Sequence, residues 1–141
     1  MSDAIEIEDE RTGLLVMTEA ESIELLETTA VGRVVFIDGA YPIALPVNYK
    51  WVDRSVVFRA LEGKKLHAAI FEEPVSFEVD EWDPQTQTGA SVLVRGRAAE
   101  VTDWAEKEEL EDLGVIPWTG HPWRQSWIRI VPKQMSGRRI A

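Results

Sequence analysis

The sequence predicts a mainly β protein, a six-stranded antiparallel barrel with short flanking helices, and three observations carry that prediction. Six stretches rich in β-branched and aromatic residues alternate with turn chemistry or short helical segments. Capping-box spacing at Thr18/Glu21 and at Asp103/Glu106 opens two short helices. A small sheet leaves exposed edges, which closure or near-closure into a barrel removes.

The first helix runs from Thr18 to near Thr28, and its stripe of Ile23, Leu25 and Leu26 suits a lid or plug on a sheet. Val31–Asp38 reads as a strand ended by the Asp38-Gly39 turn. Tyr41–Lys50 resumes as a strand, with Pro42 and Pro46 placing it at an edge or beside a bulge. Ser55–Ala60 follows the Asp53-Arg54 turn and completes a meander. A helix over Gly63–Phe71 presents Leu66, Ala69 and Ile70, and Pro74 closes it. Val75, Phe77 and Val79 then alternate with polar residues in the period of a half-buried strand. A polar loop from Asp83 to Gly89 leads to a long strand, Ser91–Val101, with Arg95-Gly96-Arg97 marking a bend or a close backbone approach. An acidic helix ends near Gly114, rings anchor the loop from Pro117 to Trp123, and Ser126–Val131 is the last strand.

A chain of 141 residues with 45% hydrophobic residues suits one compact domain. Its organisation is an acidic N-terminal segment, 1–17, followed by a single domain, 18–141. The net charge of −10 makes nucleic acid and acidic membranes poor partners. With no cysteine there are no disulfides, thiolate nucleophiles or sulfur-ligated metals. No long apolar run and no basic, apolar leader is present, so a soluble cytoplasmic protein is expected. Acids crowd the first thirty residues, whereas Arg124, Arg129, Lys133, Arg138 and Arg139 make the C-terminal stretch basic. Those cations either balance surface charge or help to hold an anion.

Side-chain catalysis has few candidates. His67 and His121 are the only histidines, which excludes a three-histidine metal centre. The cluster Glu108, Glu109, Glu111 and Asp112 reads as solvated helix surface, and no nucleophile-elbow motif occurs. Anion binding is better supported, since Arg59, Lys64 and Lys65 flank the Gly63 turn at a helix start. Arg95 and Arg97 share a strand face and form a second cationic patch. Trp118, Trp123 and Trp127 fall close together, suited either to a flat-ligand pocket or to sealing a barrel end.

The order of motifs resembles the FMN-binding split-barrel superfamily, specifically small bacterial proteins similar to pyridoxamine 5′-phosphate oxidases. The resemblance rests on Val31-Gly32-Arg33-Val34, Pro46-Val47-Asn48-Tyr49, Val56-Val57-Phe58-Arg59 and Gly63-Lys64-Lys65-Leu66. It continues through Ser91-Val92-Leu93-Val94-Arg95-Gly96-Arg97-Ala98, Trp127-Ile128-Arg129-Ile130 and Ile140, covering roughly residues 18 to 140. It implies a six-stranded antiparallel split β-barrel that forms a homodimer with two flavin sites at the interface. By that likeness Pro46, Val47, Asn48 and Tyr49 border the isoalloxazine ring, and Arg59 and Lys65, helped by Lys64, approach the phosphate. Ser91 and the surroundings of Trp127 come near the cofactor, some of them from the partner subunit.

The function so implied is that of an oxidoreductase using FMN, or alternatively the deazaflavin F420, on a small molecule, with no catalytic side chain and no metal assigned. Ala60 departs from the family pattern where many relatives carry a hydroxyl against the phosphate, and Ala90 where many carry an aromatic residue. A noncatalytic dimer binding flavin or another anionic aromatic ligand is the alternative, and a purely structural protein without cofactor is the third.

Overall fold

The computed structural model describes residues 6–60, 71–118 and 125–140. The helix expected from Gly63 onward, Lys64, Lys65, His67, His121 and Trp123 lie outside the described residues. Among the described residues eight strands occur in the order β1 (Ile7–Asp9), β2 (Leu14–Val16), β3 (Val31–Asp38), β4 (Tyr41–Val52), β5 (Ser55–Ala60), β6 (Pro74–Asp83), β7 (Thr88–Glu100) and β8 (Ser126–Arg139). Helix α1 (Glu19–Thr28) precedes β3, and α2 (Trp104–Glu111) lies between β7 and β8.

Strands β3 to β8 close an antiparallel six-stranded barrel, and the predicted fold class is the observed one. Around the ring the order is β3, β4, β5, β8, β7, β6 and back to β3. The β1–β2 hairpin, which the sequence did not announce, extends the sheet beside β8 through Leu15↔Arg139 and Val16↔Arg138. Acids and bases from opposite ends of the chain meet there, Asp9 with Arg138 at 3.1 Å and Glu6 with Arg139 at 2.7 Å. Two of the late cations, Arg138 and Arg139, are thus paired with acids from the start of the chain.

The last strand is longer than expected, reaching Arg139 rather than Val131. Pro132, Gly137 and the late cations hide its period, but pairing with β7 from Ala90↔Arg139 to Glu100↔Ile128 supplies the ladder. That ladder shifts register at Arg95/Gly96, the bend expected at the central glycine. A Cβ on Gly96 would overlap the Val131 carbonyl, so only glycine allows the approach. The expected Asp83–Gly89 loop tightens to a hairpin because Asp83↔Thr88 and Trp82↔Gly89 already pair.

Inward-facing residues follow strand alternation. Val34 and Phe36, Val56 and Phe58, Phe77 and Val79, Val92 and Val94, and Ile128 and Ile130 fill the main core. Leu25 and Leu26 of α1 join this core, the plug that the apolar stripe predicted. Both arms of the α1 capping box form, with Glu21 N donating to Thr18 Oγ1 at 3.1 Å and Thr18 N to Glu21 Oε1 at 2.9 Å. A second, smaller core contains Val57, Val101, Leu110, Val115 and Trp127, where α2 and the residues after it cover the outer faces of β5 and β8.

Candidate functional site

The geometry starts with the unequal pairing of β4. Its ladder with β3 covers Tyr41–Asn48, but its ladder with β5 covers only Tyr49–Val52, because β5 turns away to pair with β8. Among the described residues, no strand pairs the other edge of Tyr41–Asn48. In an antiparallel strand the backbone N–H and C=O of each residue point to one side and alternate along the chain. Tyr49 N donates to the Ala30 carbonyl on the β3 side, at 3.4 Å. The even-numbered residues Ala44, Pro46 and Asn48 therefore turn their backbone groups to the open edge. Pro42 and Pro46, which lack an N–H, fall on this edge as the sequence predicted for proline.

The side chains of the Pro46–Tyr49 motif divide by alternation. Val47 and Tyr49 are each 3% exposed, face the core, and turn their backbone groups toward β3 rather than to the open edge. The Tyr49 ring packs edge-on to Phe77 at 4.7 Å, and its hydroxyl donates to the Leu26 carbonyl at 2.5 Å. Burial raises its pKa well above the ordinary tyrosine value. Asn48 lies on the outside, where Nδ2 donates to the Ile116 carbonyl at 2.7 Å and Oδ1 accepts from Trp118 Nε1 at 3.1 Å.

Beyond Asn48 stands Arg59, on the outer face of β5, while Phe58 and Ala60 on either side point into the main core. Its guanidinium lies over the Trp127 ring, 5.1 Å from the centroid, and donates to Glu111 Oε2 at 3.4 Å. Trp127 Nε1 donates to Glu111 Oε1 at 2.9 Å. A neighbouring helical acid, Glu106, pairs with Arg129, whose Nε also donates to Ser55 Oγ at 3.0 Å. Glu111 was expected to be solvated helix surface. It is exposed as expected and also bridges two strands, because α2 lies across β5 and β8 and the second core fixes its height. Nothing local in the sequence marks this role.

The two described tryptophans of the C-terminal group differ in burial. Trp127 is buried beneath α2, whereas Trp118 is 59% exposed beside Asn48. Ser91 sits on β7 opposite Asp80 and Arg138. It is three strand spacings from β4, about 14 Å along the sheet. Within one chain the structure thus brings Pro46, Asn48, Arg59 and Trp127 to one region and leaves Ser91 apart.

An ionic cluster missed by sequence reasoning lies between them. Arg33, the cross-strand partner of both Pro46 and Glu78, pairs with Glu78 at 3.3 Å and with Asp80 at 2.8 Å. Burial pushes Glu78 up to about 7, the Asp80 carboxyl beside it adds to the rise, and Arg33 opposes it. The signal was period-two spacing of Glu78 and Asp80 on one strand face, legible only once Arg33 is known to lie alongside.

Among the described residues no three His, Asp or Glu side chains group as a metal site, and no helix is long and apolar enough to cross a membrane. What the region offers is an open backbone edge for a flat polar ring and a cation at its end.

The family model for pyridoxamine 5′-phosphate oxidase matches residues 18–139. An uncharacterised protein of Mycobacterium tuberculosis is 34% identical over 125 residues, covering 85% of this chain and 81% of the relative. The structure of an FAD-binding protein from Mycobacterium smegmatis superposes with a TM-score of 0.75 at 34% identity, over 89% of this chain and 99% of that one. A Corynebacterium glutamicum protein assigned as a pyridoxamine 5′-phosphate oxidase gives a TM-score of 0.75 at 27% identity, over 90% of this chain and 93% of that one.

Proposed function

Because the chain belongs to the pyridoxamine 5′-phosphate oxidase family, we propose that it binds a flavin along the open edge of β4 and serves as a flavin-dependent oxidoreductase on a small molecule. The unpaired edge over Tyr41–Asn48 is the observation that carries this function. Alternating backbone donors and acceptors there, with the N–H of Ala44 and Asn48 among them, match the mixed hydrogen-bonding rim of an isoalloxazine ring. Arg59, with Lys64 and Lys65 following in sequence, supplies charge for the phosphate end. The FAD-binding relative of M. smegmatis supports a flavin as the ligand class; FMN is the form proposed here, with a deazaflavin as its competitor.

When bound, the flavin supplies the hydride chemistry, and the protein supplies orientation and electrostatics. Pro46 and Asn48 border the ring through backbone, while Val47 and Tyr49 anchor that backbone to the core. Trp127 backs the Arg59 guanidinium, and a conventional acid–base side chain is not needed. Ser91 lies too far around the barrel to serve the same chain's β4 edge, so its contribution comes from a partner subunit, which argues for a homodimer. The family match over 18–139 supports assigning the flavin domain to 18–141, with residues 1–17 adding the β1–β2 hairpin.

A noncatalytic flavin-binding dimer is the second reading. It is favoured by the engagement of Asn48 and Arg59 with the chain's own Ile116, Trp118 and Glu111.

Native mass spectrometry of gently purified protein, followed by titration with FMN, FAD and deazaflavin, tests the proposal. A dimer retaining two flavins is the expected result. A chain that takes up none of the three overturns it. Bound flavin that undergoes repeated reduction and reoxidation with a small acceptor separates the enzyme from the noncatalytic binder.

A further inference from the structure

Away from the β4 edge, strands β3, β6, β7 and β8 line a cavity of about 480 Å³. That size lies within the usual range of small-molecule sites. None of its lining residues belongs to the flavin site proposed above. Val35, Ile37 and Pro74 give it an apolar wall, and Arg95, Arg97 and Lys133 give it three cations. Among the described residues no carboxylate lines it, in a chain whose net charge is −10.

The cations converge through the β7–β8 irregularity. The register passes from Arg95↔Gln134 to Gly96↔Pro132 and leaves Lys133 without a ladder partner. Bulges of this kind redirect side chains and recur next to binding sites. Arg97 is steadied by a 2.8 Å hydrogen bond from its guanidinium to the Glu72 carbonyl, which leaves its charge unneutralised. Among the described residues, no carboxylate forms an ion pair with Arg95, Arg97 or Lys133. By contrast Arg33, Arg54, Arg59, Arg129, Arg138 and Arg139 all have acidic partners.

We propose that this cavity is a second ligand site, separate from the flavin edge, for a small organic carboxylate with an apolar aromatic or branched body. The apolar wall holds the body, and the carboxylate supplies the acidic partner that no described residue gives the three cations. The site stands whether or not a flavin binds along β4.

The test is titration of the full-length protein with 1-naphthoate, followed by calorimetry and by backbone amide chemical shifts. Saturable binding of one naphthoate per chain is expected, with shifts at Val35, Ser76 and Gly96. The neutral 1-naphthalenemethanol should bind about tenfold more weakly, as should naphthoate to the double variant R95Q/K133Q. Both residues are exposed, and unfolding curves establish that the variant folds. Should the double variant fail to fold, K133Q alone gives the same readout with a smaller loss. The proposal is overturned by absence of saturable binding, by equal affinity for acid and alcohol, by undiminished binding to the folded variant, or by shifts confined to Asn48 and Arg59.

Discussion

The guanidinium of Arg59 lies 5.1 Å from the centroid of the Trp127 ring, and the two residues are cross-strand partners of β5 and β8. Stacking and the indole N–H together make an anion seat, and Glu111 of α2 sits in it. In the proposed flavin site, a phosphate at this end would meet an internal carboxylate competitor. E111Q is expected to tighten FMN relative to riboflavin by roughly threefold to tenfold. Fluorescence-quenching titrations of the two flavins measure the ratio, and an unchanged ratio would show that Glu111 does not contend for Arg59.

Tyr49 links the plug helix to the barrel through its bond to the Leu26 carbonyl. Y49F keeps the ring against Phe77 but leaves that carbonyl without its donor. A loss of about 1–3 kcal/mol is expected in denaturant unfolding. A variant as stable as the parent would mean that the hydroxyl does not tie α1 to β4.

Gly32 lies directly against the ring of Phe77, and a Cβ there would overlap it. Phe77 is fully buried and has no free volume to retreat into. G32A is therefore expected to cost about 1–3 kcal/mol by overpacking. Wild-type thermal stability in G32A would show that the ring relaxes.

Glu78, raised from 4.5 to about 7, carries a pH signature. Between those values the folded protein binds more protons than the unfolded chain. Its contribution to stability is thus present at low pH and lost as pH rises through about 7. Removing the neighbouring charge in D80N should lower the Glu78 midpoint. A carboxyl chemical-shift titration reads both proteins, and a parent midpoint near 4.5 would refute the raised value.

The meander was legible because its information is local. Val31–Asp38 and Ser55–Ala60 carry β-branched runs bounded by turns, and β3 and β5 occupy those same residues. The second half of β8 was not legible, since Pro132 and Gly137 interrupt its pattern and its partners are β7 and β2. At the site, Arg59 was visible as a cation ending an apolar strand. Its partner Glu111 lies 52 residues away in an acidic helix, where no local spacing distinguishes it from its neighbours.

Residue order by itself determined the mainly β class, the capped α1, the turns and the family, because propensity, capping and alternation act over a few residues. Tertiary structure decided which half of β4 stays unpaired, that Asn48 meets Trp118, that Glu111 reaches Arg59, and that Arg95, Arg97 and Lys133 share a cavity. These depend on ring closure and on a register shift between β7 and β8. Both are long-range choices settled by core packing, which no short window of sequence contains.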